Sequence, residues 1–165
     1  MSYDINKLVE KVVNEVKTSN TQTNGTSTPT MTLELARRLT EKVKVKAKQT
    51  GVKAVVAVTD AGGNIVTVDR MDDAFIASVD IAVNKAYTSV ALKMSTYELS
   101  KLALPSGPLY GIQHTNNGRI VIFGGGVPLK IGDAVIGGLG VSGGTAEQDT
   151  YLGNCGEEIF QELVK

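Results

Sequence analysis

The sequence predicts an α+β domain, an antiparallel β-sheet covered by helices, with an additional amphipathic helix on a flexible linker at the N-terminus. Three observations carry this expectation. Two short β-branched runs, residues 53 to 59 (KAVVAVT) and 65 to 70 (IVTVDR), are joined by Asp60-Ala61-Gly62-Gly63-Asn64, which reads as a hairpin with a glycine turn. A glycine-dense stretch follows later, and residues 107 to 149 hold twelve of the chain's 18 glycines, threaded between runs of Ile, Val, Leu and Phe. The order of elements is helix, hairpin, two helices, strands and a final helix. That order suits an antiparallel sheet with helical cover, not a doubly wound parallel one.

Taken from the start, residues 4 to 17 place Ile5, Leu8, Val9, Val12, Val13 and Val16 on one helical face, with Asp4 as N-cap. Residues 18 to 30 contain no large apolar side chain, so they cannot bury enough surface to offset their ordering entropy and read as a disordered linker. The folded domain is expected over residues 31 to 165. Thr32 caps a helix whose inner face is Leu35, Ala36, Leu39, Val43 and Ala47, and Gly51 ends it. After the hairpin, a second helix from Ala74 to about Met94 is expected to turn Ile76, Val79, Val83, Ala86, Val90 and Met94 inward. Ser95-Thr96-Tyr97-Glu98 has capping-box spacing and opens a short helix limited by Pro105. Residues 105 to 118 read as an exposed loop. Strands are expected at 119 to 123, 127 to 131 and 134 to 141. Thr145-Ala146-Glu147-Gln148 is a second capping box, opening a helix with Leu152, Cys155, Ile159 and Leu163 on one face.

Composition narrows the function classes. Lys and Arg number 17 and Asp and Glu number 17, so no net charge steers the chain to nucleic acid or an anionic membrane. Cys155 and His114 are the only residues of their types, which excludes a disulfide framework or a Cys/His zinc cage within one chain. No apolar run has the length of a signal peptide or a membrane span, and the expectation is a soluble intracellular protein.

Two motifs look catalytic. Gly138-Leu139-Gly140-Val141-Ser142-Gly143 matches the dinucleotide fingerprint, but no strand follows the last helix to complete a βαβ unit. Gly140-Val141-Ser142-Gly143-Gly144 matches a nucleophile elbow, but His114 precedes the serine where that fold needs the histidine to follow it. What survives is an anion seat: Gly143, Gly144 and Thr145 present backbone N–H groups at a helix N-terminus, unless Thr145 and Gln148 satisfy them. His114 is either a surface residue or an axial metal ligand.

Three strings, VVAVTDAGGNIVTVDRMDDAFIASVDIAVNKAYTSVAL, TNNGRIVIFGGGVPL and AVIGGLGVSGGTAEQD, resemble one family. It contains the glycolate-utilisation accessory protein, the extracellular haem-binding sensor proteins of actinobacteria and the C-terminal domain of the propanediol-utilisation adenosyltransferase. The resemblance runs from Thr32 to the C-terminus and implies a profilin-like domain, a five-stranded antiparallel sheet flanked by helices, assembled into homo-oligomers. It implies haem as cofactor, with a pocket lined by the glycine-rich strands at Gly124 and Gly125. Its propionates would meet the amides of Gly143, Gly144 and Thr145, or Arg119 and Lys85, and His114 would be the iron ligand. Tyr87, Tyr97, Tyr110, Met71 and Met94 are the substitutes for that ligand. The catalytic domain of the adenosyltransferase has no counterpart here, so corrinoid adenosylation is not implied.

The N-terminal helix and linker are similar to the encapsulation peptides that direct cargo into bacterial microcompartments. That likeness implies a shell or cargo partner for residues 4 to 17 and a compartment lumen in the bacterial cytoplasm. Two other function classes stand beside a haem-binding accessory protein. One is an enzyme for a small oxyanion or aldehyde using Lys85, Asp60, Arg70 or Ser142. The other is a non-catalytic assembly module.

Overall fold

A computed structural model describes residues 10–11 and 29–165 of the chain. Glu10 and Lys11 are helical; the rest of the helix expected over 4 to 17, and the linker up to residue 28, lie outside the described residues. The elements that follow are α1 (Leu33–Gln49), β1 (Val55–Asp60), β2 (Ile65–Arg70), α2 (Ala77–Ala91), α3 (Thr96–Leu102), β3 (Gly126–Ile131), β4 (Ala134–Ser142) and α4 (Ala146–Leu163).

Local chemistry accounts for most boundaries. The Thr32 hydroxyl accepts the Leu35 N–H at the start of α1, and Ser95 accepts the Glu98 N–H at the start of α3. At α4 the full reciprocal capping box forms between Thr145 and Gln148. The β1–β2 hairpin closes on Asp60, whose carboxylate accepts the N–H groups of Gly62 and Asn64 at 2.8 and 2.9 Å.

The sheet has four strands, all antiparallel to their neighbours, in the order β2-β1-β4-β3. It is not the five-stranded sheet expected from the family resemblance. The missing strand is the one placed at 119 to 123. Its backbone is satisfied from the side by α2 instead of by a neighbouring strand: the Thr88 hydroxyl accepts the Val121 N–H at 3.0 Å and lies 3.2 Å from the Arg119 carbonyl oxygen.

Strand alternation assigns the two faces. Val56, Val58, Val127, Leu129, Leu139 and Val141 point to one side and form the main core with Leu39, Val43, Leu152 and Phe160 of α1 and α4. The opposite face carries Val55 and Ala57, then Gly138 and Gly140 of β4, with Gly126 directly across from Gly140. Here α2 lies with its backbone almost on the strands. A Cβ at Gly140 would overlap the carbonyl oxygen of Ala82, and one at Gly138 that of Ala86. The glycine density of these strands therefore makes room for a helix.

The same closeness explains why the helix faces differ from the apolar periodicity. In α2 the buried residues are Ser78, Ala82, Lys85, Ala86, Thr88, Ser89 and Val90, while Ile76 is 85% exposed. Only short side chains fit between a helix and a glycine trough, so Val79 and Val83 rotate to its edge and rest half-buried beside Val68. In α4 the buried face is Asp149, Leu152, Gly153, Gly156 and Phe160, displaced from the expected line through Cys155 and Ile159. Gly156 sets that rotation by seating α4 against Leu139 and Val43.

Gly140→Ala is therefore expected to destabilise the protein by about 3 kcal/mol, the upper end of what overpacking costs. Gly111→Ala, where a Cβ meets open space, should cost only about 1 kcal/mol for its left-handed φ of 89°. Urea denaturation reads both, and equal midpoints for the two variants would contradict this packing.

Candidate functional site

The largest fully buried side chain in the described chain is a lysine. Lys85 sits on the inner face of α2 with 0% exposure. A buried ammonium must find partners, and Lys85 donates to Asp149 Oδ2 at 2.7 Å and to the Val141 carbonyl at 2.9 Å. Its Nζ also lies 4.8 Å from the centroid of the Phe123 ring. Desolvation pushes the Lys85 pKa below its ordinary value, with the Asp149 carboxylate working against that shift. The other oxygen of Asp149 accepts the Gly144 N–H at 2.9 Å. One carboxylate thus joins α2, the end of β4 and the first turn of α4.

This geometry brings together several of the residues singled out in the sequence, in roles other than the expected ones. Lys85 is enclosed and paired with Asp149. Two of the three amides expected to seat an anion are taken: Gly144 donates to Asp149, and Thr145 donates to Gln148 Oε1 at 2.9 Å. Gly143 is packed against the backbone of Lys53 and Ala54. Gly125 has φ of 114°, and a Cβ there would come within 2.8 Å of Lys85 Nζ and 2.9 Å of Asp149 Cβ. It is the residue that lets the ion pair close.

Immediately outside this pair runs a groove of about 590 Å3 between α3 and the first turns of α4. That volume falls in the range of about 300–1,000 Å3 usual for small-molecule sites. Its walls are Tyr97, Phe123 and Tyr151, exposed by 48%, 41% and 47%, with Gly124 and Thr150 between them. At its two sides a cation rests on an aromatic face: Lys101 lies 4.3 Å from the Tyr97 ring centroid and Lys46 lies 5.9 Å from that of Tyr151. Glu147 at the rim is held below the usual carboxylate range by a backbone hydrogen bond and one to the Thr145 side chain. A second groove of about 560 Å3, beside the end of α1, is walled by charged side chains, several of them already paired, among them Lys44 with Asp69 and Lys53 with Asp73. Of these two grooves, the aromatic one is chemically open to a flat apolar ligand.

His114 and Arg119 do not line that groove. His114 ends an exposed 3₁₀ turn, Ile112–His114. Arg119 is stacked on Tyr87. The residues proposed for an enzyme are each bound into the fold: Asp60 in the hairpin turn, Arg70 on the Ala74 carbonyl, Ser142 buried against Ser78 Oγ at 3.2 Å, and Lys85 on Asp149. Tyr151 is the groove residue that sequence reasoning passed over, and the pairing of Asp149 with Lys85 was not anticipated. No local signal marked the pair, because a lysine without an acidic neighbour on its helix is ordinarily solvated and its carboxylate here stands 64 residues away. Among the described residues no cluster of three or more His, Cys, Asp or Glu could hold a metal ion. No helix among them is long and apolar enough to cross a membrane.

Comparison with known proteins gives a consistent set. The family model described as "Haem degrading protein HbpS-like" matches residues 31–156. An uncharacterised 15.0 kDa protein from the dhaT-dhaS intergenic region of Citrobacter freundii is 47% identical over 134 residues, covering 81% of this chain and 94% of that one. The corrinoid adenosyltransferase PduO of the same organism is 36% identical over 147 residues, 88% of this chain but only 42% of its own length. The solved PduOC:haem complex superposes with a TM-score of 0.75 at 37% identity, covering 79% of this chain and 94% of that one.

Asp149→Asn, which leaves Lys85 buried and without a counter-charge, is expected to cost about 3–5 kcal/mol, and adding Lys85→Met should restore most of the loss. Because burial lowers the Lys85 pKa, the folded chain sheds that proton before the unfolded chain does. Wild-type stability should therefore gain from this group as pH rises through its folded pKa toward 10.5, and Lys85→Met should remove that gain. Urea midpoints measured from neutral pH upward test both points; an additive double variant would contradict the coupling.

Proposed function

Because the chain belongs to the HbpS-like family, we propose that it is a haem-binding accessory protein, cargo of a bacterial microcompartment, and that the aromatic groove outside the Lys85–Asp149 pair takes the haem. The observation that carries this reading is the groove itself: three half-exposed aromatic rings around a backbone floor at Gly124, in a chain 37% identical to a protein solved with haem. Flat apolar walls suit a planar macrocycle, and aromatic stacking adds about 0.5–1.5 kcal/mol per ring pair beyond area burial. Lys46 is the cation near Tyr151 for a carboxylate on that side, while Lys101, near Tyr97, is shared with Glu98 at 2.7 Å. Tyr97 and Tyr151 offer phenol oxygens, a donor type known for haem iron. When bound, the group supplies a redox-active iron; this chain's residues stack against it, hold its carboxylates and screen it from water.

The chain spans 42% of the PduO relative's length, so we assign it no corrinoid adenosylation. We propose further that it forms a homo-oligomer. Phe75 and Ile76, 70% and 85% exposed at the start of α2, adjoin half-buried Val79 and offer an apolar patch to a second copy. We assign the apolar face read in the sequence of residues 4 to 17 to a shell or cargo protein, a contact that would put the chain in the compartment lumen.

Haem titration followed by absorbance tests the binding site. A saturable Soret band is expected for the wild type, with a dissociation constant raised at least about tenfold (1.4 kcal/mol) in Tyr97→Ala/Tyr151→Ala and unchanged in His114→Ala. A band lost with His114→Ala and untouched in the tyrosine variant would move the site away from the groove. Deleting residues 1–30 is expected to keep the Soret band and abolish co-purification with compartments. Retention of the truncated chain there would end the targeting reading.

A further inference from the structure

We propose a second ligand site, for a small carboxylate, at Arg119. Its guanidinium lies over the Tyr87 ring, with Cζ 3.6 Å from the centroid, and its Nε donates to Asn84 Oδ1 at 3.4 Å. Tyr87 is itself held from two sides. Its ring lies against Gly63 in the β1–β2 turn, where a Cβ would come within 2.9 Å, and its hydroxyl accepts Asn116 Nδ2 at 3.2 Å. The stack therefore fixes the arginine before any ligand arrives. A preorganised guanidinium loses little freedom on binding.

Among the described residues, Arg119 has no acidic partner, and its two terminal nitrogens make no hydrogen bond. The adjoining loop carries two further marks. Asn116, Asn117 and Gly118 are consecutive left-handed residues, with φ of 51°, 57° and 74°, a conformation that costs about 1–3 kcal/mol at each asparagine. One turn earlier, Gln113 Oε1 is buried without a partner. Strain and an unsatisfied polar atom persist together where the surroundings hold a loop in place for a task.

The chemistry selects the ligand class. A planar fork of N–H donors matches a carboxylate in two parallel hydrogen bonds. The cluster offers a single fixed positive charge with neutral asparagine amides around it, which suits a monoanion better than a phosphate dianion. None of these residues lines the aromatic groove, so the site is independent of the haem reading.

The test is NMR titration of the full chain with sodium acetate, and separately with inorganic phosphate, at constant ionic strength. The Arg119 Nε–H and the side-chain amides of Asn84 and Asn116 are followed. Acetate should shift them saturably, phosphate should bind more weakly, and Arg119→Lys should weaken acetate at least tenfold without changing the thermal midpoint. Asn84→Ala serves as the second variant should Arg119→Lys fold poorly, and it too should weaken acetate. No saturable shift, tighter phosphate than acetate, or undiminished acetate binding in both variants would overturn the proposal. So would parallel loss of haem binding in Arg119→Lys, which would make Arg119 part of the haem site.

Discussion

The structure depends on how closely α2 can approach β4. Gly138 and Gly140 leave no side chains on that part of the sheet, so the backbone of α2 settles against the strands through Ala82 and Ala86. A helix that close cannot carry long residues inward unless they extend along the interface. Lys85 is the exception, and its burial creates a demand that only a carboxylate meets. Asp149 supplies it from α4 and so fixes the first turn of that helix relative to α2. Gly125 is what allows the pair to close. The backbone constraint thus becomes an electrostatic one, and the electrostatic one positions the groove wall.

The groove is a by-product of that chain of causes. Phe123 lies over the ammonium, Thr150 and Tyr151 follow Asp149 on α4, and Tyr97 comes from α3, whose neighbour Thr96 accepts the Gly126 N–H. Three rings arrive from three elements whose relative positions the ion pair and the glycine trough determine. A buried salt bridge is costly to assemble and rarely adds net stability, but breaking one partner is severe. Its use here is to hold the floor of a recognition surface in one arrangement.

Much of this fold could be read in the residues because the signals are local. β2 occupies the six residues its alternation suggested, and the caps at Thr32, Ser95 and Thr145 bind the amides their spacing implied. What could not be read is tertiary. The inner faces of α2 and α4 follow glycines on another element, so apolar periodicity alone turned Ile76 and Cys155 inward. The segment 119 to 123 has strand composition, yet Thr88 of α2 meets its backbone first. Lys85 and Asp149 stand 64 residues apart, and no spacing rule links them. For the same reason the part Gly125 plays in closing the ion pair could not be read from its place in a glycine run.

The most direct measurement of the central claim is paramagnetic broadening of backbone amide signals by ferric haem. The account predicts that broadening centres on Gly124, Thr150 and Asn154 and spares His114 and the β1–β2 turn. Broadening centred on the His114 loop, or spread without a centre over the surface, would contradict it.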